Sequence, residues 1–181
     1  MGLSSDGSDT AAGVGRHAAP SAANSNATGA PEPRADTSFL WSDARLLGFT
    51  PMDETHEEFY RVAFDLLTCT AASAPAALEA LEAFEHHAVA HFQQEEDWMR
   101  QTNFPPRDCH IDEHAAVLKS VREVREGLAA GRLDVAVVQD LAQHLFMWFP
   151  GHADYLDSAL AAWMSKRQYG GQPVVLRRAV P

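Results

Sequence analysis

The chain has 181 residues, of which 46% are apolar, and a formal net charge of −11 at pH 7. That length suits one domain plus a tail, and the absence of any basic stretch able to neutralise phosphates excludes nucleic acid as a partner. No apolar run approaches the roughly 18–20 residues needed to cross a bilayer. The N-terminus lacks the apolar core of a secretory signal, and the two cysteines, Cys69 and Cys109, fit a reducing cytoplasm better than a disulfide framework.

Residues 1–37 are Gly, Ser, Ala, Asn and Pro with almost no large apolar side chain. Such a segment cannot bury enough surface to offset its ordering entropy, which predicts a disordered tail. The tail could tether a protein partner of unknown identity, although it holds no specific motif. A folded unit is predicted over 38–168, opening with an irregular leader, 38–52, that carries Phe39 and Trp41. Residues 169–181 are expected to follow it as a second tail.

Four helices are predicted inside this unit. The first, 53–72, places His56, Phe59, Ala63, Leu66 and Thr70 on one face. The second, 75–101, opens with Pro75, which suits a first helical turn, and carries Phe84, Ala88, His91, Glu95 and Trp98. The third, 109–130, reads His110, His114, Val117, Val121, Val124 and Leu128, and ends at a capping Gly131. The fourth, 133–166, reads Val137, Leu141, Leu145, Trp148, His152, Tyr155 and Ala159. Alternating steps of three and four mark helix faces turned to a core. Strand signals are weak throughout, and short connections favour an all-α, antiparallel, up-down four-helix bundle. Within the last helix, Pro150 gives up its hydrogen bond to the Phe146 carbonyl and is expected to bend the axis.

These stripes carry polar residues where a core should be. His56, His91, Glu95, His110, His114 and His152 all fall on faces built from Phe, Val, Leu and Trp. One buried histidine is usually a satisfied core residue, and one His-x-x-x-His pair arises by chance. Six such groups from four helices would cost roughly 1–3 kcal/mol each if left unsatisfied. A shared metal ion is the simplest partner. Imidazoles suit iron, zinc, copper or nickel, and a shared carboxylate favours iron or manganese. So many histidines exceed a four-coordinate zinc site.

In chain order the motifs are MDETH at 52–56, HFQQEE at 91–96, HIDEH at 110–114 and WFPGHADYLD at 148–157. With them, residues 39–166 resemble the hemerythrins, specifically the bacterial hemerythrin-like proteins. The resemblance implies a non-haem di-iron site in the bundle core. His110, His114 and His152 would hold one iron, and His56 and His91 the other. Glu95 and Asp157 would bridge them, with a hydroxide as third bridge. O2 would bind reversibly at the open position of the iron with two histidines, for delivery, storage or sensing rather than catalysis. The alternative is a redox or iron-handling role for the same site. Helical geometry also selects Asp157 over Asp154, which points nearly away from His152.

Phe59, Phe92, Trp148, Phe149 and Ala153 are the expected O2-pocket residues. Phe59 and Phe149 are larger, and Ala153 smaller, than the family pattern. Elsewhere His17 falls in the tail, His86 is read as solvated, and His87 as interfacial. His144 is read as partly buried and Cys109 as a buried thiol. Trp98, Met99, Met147 and Trp163 are read as core, and Glu96, Asp97, Asp112 and Glu113 as a solvated face.

Overall fold

The computed structural model describes residues 39–68 and 73–175. The predicted tail at 1–37, the end of the first predicted helix with Cys69 and Thr70, and the last six residues lie outside that range. Within it the secondary structure is helical. Helix α1 spans Thr50–Thr68, α2 Ala74–Thr102, α3 Arg107–Ala129 and α4 Ala136–His152. A π-helical turn, Ala153–Asp157, joins α4 without a break to α5, Ser158–Tyr169. The predicted antiparallel four-helix bundle is present: α1 lies against α2 and α4, α2 lies against α3, and α3 meets α4 along a narrower seam. No helix is long and apolar enough to cross a membrane among the described residues.

Two apolar clusters fill the bundle, one on each side of a polar layer. The larger includes Phe59, Leu66, Leu81, Phe84, Phe92, Val121, Ala142 and Phe149. The smaller holds Phe49, Met52, Met99, Phe104, Leu160 and Ala161. Along α1 the order is Met52, His56, Phe59; along α2 it runs the other way, Phe92, Glu95, Met99. Antiparallel packing therefore stacks the polar positions of all four helices at one level.

Helix α1 starts at Thr50, inside the predicted leader. Pro51 has the fixed φ that a first helical turn requires, and Asp53 locks the entry. Asp53 Oδ1 accepts from the Leu47 N–H at 2.7 Å, and Oδ2 from the Gly48 N–H at 3.0 Å. Gly48 turns there at φ +83°, where a Cβ would lie 3.0 Å from Pro173 Cβ. The segment after α5 therefore crosses the leader, and only glycine fits the crossing.

Pro150 sits inside α4, and the π turn follows three residues later. The Ser158 N–H reaches back to the Ala153 carbonyl, a five-residue step. This turn re-registers the helix face. Tyr155 and Ala159, predicted to face inward, are exposed, while Ala153, Asp157, Leu160 and Ala161 are buried.

Replacing Asp53 by Ala removes two hydrogen bonds to a charged acceptor, at roughly 1.5–3 kcal/mol each. We expect Asp53→Ala to lower the unfolding free energy of the metal-free protein by about 3–6 kcal/mol in urea denaturation. An unchanged midpoint would show that the leader does not depend on this lock.

Candidate metal centre

Each helix of the bundle delivers side chains to the polar layer. Helix α1 gives His56, α2 gives His91 and Glu95, α3 gives His110 and His114, and α4 with its π turn gives His152 and Asp157. All seven are buried, four of them with no exposed surface. The pairs on α2 and α3 are four residues apart, so each pair shares a face one turn apart. On α4 the five-residue spacing needs the π turn, because i→i+5 bonding sets residues five apart on one face. His152 Nε2 thereby lies 3.3 Å from Asp157 Oδ1. Asp154 is exposed, as its angle from His152 predicts.

Each carboxylate divides its two oxygens between two groups of histidines. Glu95 Oε1 lies 3.0 Å from His91 Nε2 and 3.7 Å from His56 Nε2. Glu95 Oε2 lies 3.3 Å from both His110 Nε2 and His114 Nε2. Asp157 Oδ2 faces His56 Nε2 at 3.3 Å, and Oδ1 faces His110 Nε2 at 3.0 Å. The Nε2 atoms of His114 and His152 face each other at 3.2 Å.

The donor atoms fit a metal better than they fit one another. Glu95 Oε2, both Asp157 oxygens, His56 Nε2 and His110 Nε2 are buried without a hydrogen-bond partner. They crowd toward one another without hydrogen-bond geometry. Two overlapping sets result: Glu95, His110, His114, His152 and Asp157, and His56, His91 and Glu95. In each set the donor atoms lie within 4.8 Å of one another. Imidazole and carboxylate together suit iron or manganese.

The electrostatics reflect this crowding. Burial alone would lower the His56 and His110 pKa values, but the Asp157 and Glu95 carboxylates outweigh it and push both up to about 9. For Glu95 and Asp157, burial opposes ionisation, yet the surrounding imidazoles hold both well below the usual carboxylate range. Burial lowers His114, and for His152 the carboxylates of Asp157 and Glu113 reverse that effect.

The expected pocket residues divide between the two sides. Phe149 stands edge-on to His56 at 5.0 Å and stacks on Phe59 at 4.1 Å. Phe92 stacks on His114 at 4.0 Å, and Trp148 lies 4.4 Å from His152. Ala153 lines a cavity of about 300 Å³ with Tyr60, Phe149 and Arg45.

Several residues outside the cluster depart from expectation. Glu113 is half exposed, yet its Oε2 accepts from His152 Nδ1 at 2.9 Å and from Trp148 Nε1 at 3.3 Å. The HIDEH spacing carries the signal for this contact, because Glu113 precedes His114 and flanks the helix face turned to α4. Cys109 is exposed, since one residue from inward-facing His110 means about 100° around the helix. His144 is exposed and bonds the Asp140 carbonyl, and Met147 is exposed on the outer face of α4. His87 is buried with Nδ1 3.4 Å from Glu58, and burial pushes its pKa down to about 4. His86 is exposed, as predicted.

Two opposite pH slopes follow. A histidine raised from its ordinary 6.5 to about 9 stabilises the fold below pH 6.5, and that contribution is lost as pH rises through about 9. The metal-free protein is therefore expected to lose thermal stability between pH 6.5 and 9. Metal must displace the same protons, so metal uptake should release protons and tighten over that window. Calorimetry in buffers of different ionisation enthalpy checks the release, and uptake without proton release would contradict the assignment.

Residues 47–164 match the model of the hemerythrin HHE cation binding domain, a span that contains the whole cluster from His56 to Asp157. A bacteriohemerythrin from Ralstonia nicotianae is 38% identical over 128 residues, covering 70% of this chain and 89% of that protein. Crystal structures of two hemerythrin variants, with one leucine replaced by tyrosine or by alanine, share the fold. Each has a TM-score of 0.62 at 21% identity, over 68% of this chain and 97% of the variant. The chain belongs to the hemerythrin family and is a bacterial hemerythrin-like protein.

Proposed function

We propose that this protein carries a bridged pair of non-haem iron ions and binds O2 reversibly, for delivery, storage or sensing. The observation that carries this reading is the division of the two carboxylates. Glu95 and Asp157 each turn one oxygen toward His56 or His91 and the other toward His110, His114 or His152. His110, His114 and His152 would hold one iron, and His56 and His91 the other, with the carboxylates and a hydroxide between them. Ferrous iron held there would supply the electrons that bound O2 takes up.

The polypeptide shapes how far that chemistry goes. Three histidines on one side and two on the other would give the second iron fewer protein ligands. Phe59 and Phe149 wall that side with two stacked rings and exclude water. Only two carboxylates meet five imidazoles, so little anionic charge is available to stabilise the high oxidation states used to break O2. This balance favours binding over catalysis.

The test is anaerobic reconstitution with ferrous iron, followed by cycles of O2 addition and removal. A visible charge-transfer band that appears and disappears over several cycles, with two irons per chain, supports the reading. Irreversible oxidation coupled to turnover of an added reductant would favour the redox or iron-handling alternative. Glu95→Ala or His114→Ala should bind fewer than two irons per chain, and full stoichiometry in either would refute the ligand set. Ala153→Ile fills the cavity behind Phe149 and should slow autoxidation several-fold in stopped-flow measurements. Identical rates would mean that this cavity does not control access.

A further inference from the structure

The two ligand sets are supported differently from behind. His152 donates Nδ1–H to Glu113 Oε2 at 2.9 Å, which leaves the lone pair of Nε2 directed into the cluster. The same oxygen accepts the Trp148 indole N–H at 3.3 Å. The Trp148 ring lies 4.4 Å from the His152 ring at an interplanar angle of 33°. One carboxylate therefore fixes the tautomer of His152, the plane of its ring and the aromatic side chain against it. Next to it, Glu96 Oε1 lies 3.8 Å from His114 Nδ1, beyond hydrogen-bond reach. Nδ1 of His56, His91, His110 and His114 is buried without a hydrogen-bond partner, so His152 alone of the five imidazoles has its Nδ1 held by a carboxylate. Glu58, on the same helix as His56, reaches His87 instead, at 3.4 Å.

We propose that Glu113 is a positioning residue that makes the His110, His114 and His152 position the tighter of the two metal positions, so that it fills first. The proposal rests on the di-metal reading above and goes beyond it by ranking the two positions. Two observations support the ranking. Five donor atoms already lie within 4.8 Å of one another on this side, counting Glu95 and Asp157, so less ordering remains when metal enters. A carboxylate behind a ligating imidazole also raises its donor strength and holds its orientation, and losing such a partner typically lowers metal affinity about 10–100-fold. Glu113 is half exposed, so the bundle does not need its side chain for packing.

The experiment is an anaerobic ferrous-iron titration of the metal-free protein against a competing chelator, with helicity measured by circular dichroism in parallel. Wild type should bind two equivalents in two resolved steps. Glu113→Ala should weaken the tighter step about 10–100-fold and change the weaker step by less than about threefold. Glu113→Gln keeps an oxygen acceptor for both N–H groups but loses the charge, so it should fall between Ala and wild type. Glu58→Gln, on the other side, should leave the tighter step unchanged. Two equal steps in wild type, an unaffected tighter step in Glu113→Ala, or a loss confined to the weaker step would each overturn the proposal. If Glu113→Ala loses helicity, Glu113→Gln decides by the same criterion. Failure of wild type to bind a second equivalent would instead remove the di-metal reading, and this proposal with it.

Discussion

The fold depends on one constraint: a layer of five imidazoles and two carboxylates lies inside the bundle with almost no contact with solvent. Nine side-chain atoms of these seven residues are buried without a hydrogen-bond partner. An unsatisfied buried polar atom costs roughly 1–3 kcal/mol, and the attraction between carboxylates and imidazoles offsets part of that cost. The two apolar clusters on either side carry the remainder in the metal-free chain, and metal ligation would remove it. The same constraint explains why the ligands come from all four helices. One helix cannot present seven donors to a point, whereas four antiparallel helices crossing at one level present one or two each.

The π turn after His152 solves a local form of the same problem. An ordinary α-helix would carry Asp157 to the edge of the inward face, about 140° from His152. Widening one turn brings the carboxylate round until Oδ1 stands 3.3 Å from His152 Nε2. It also shifts the register downstream, so that Leu160 and Ala161 meet Met99 and Phe104 while Tyr155 turns to solvent. Such turns recur where function needs a side chain that regular geometry cannot place. Pro150 lies three residues upstream, where its missing N–H has already weakened the regular ladder.

Periodicity carried most of the architecture. The steps of three and four from Phe84 to Glu95, and from His110 to Leu128, name inward faces that the structure buries or half-buries. The polar intruders on those faces are the side chains that converge, because a buried imidazole breaks the apolar pattern visibly. What periodicity missed has physical reasons. It assumes one helical repeat, so it carried the inward stripe through Tyr155 and Ala159, where the π turn had changed the phase. It sorts residues by face alone, so Glu113 read as solvated although a long side chain at the border reaches His152 from outside. It says nothing of N–H groups before a helix, so the bonds from Leu47 and Gly48 to Asp53 could not be read from the stripe.

The two sides of the cluster differ in a way that matches a division of labour. The side with three histidines is fixed by rings and charge: Phe92 lies flat on His114, with an interplanar angle of 7°, Trp148 lies against His152, and Glu113 holds both Trp148 and His152. The side with two histidines has no carboxylate behind its imidazoles and is walled by the edge of Phe149 and by Phe59. Stacked phenyl rings offer no donor or acceptor, so they exclude water without competing for a ligand. A centre that held its metal on one side and exchanged a small molecule on the other, as proposed above, would need this difference. Under the proposed di-iron reading, rigidity at the position with three histidines would keep the shared carboxylates in place while the other position changed occupancy. Glu95 and Asp157 span both sides, so anchoring at His114 and His152 would reach the other position through two carboxylates and not through the helices alone.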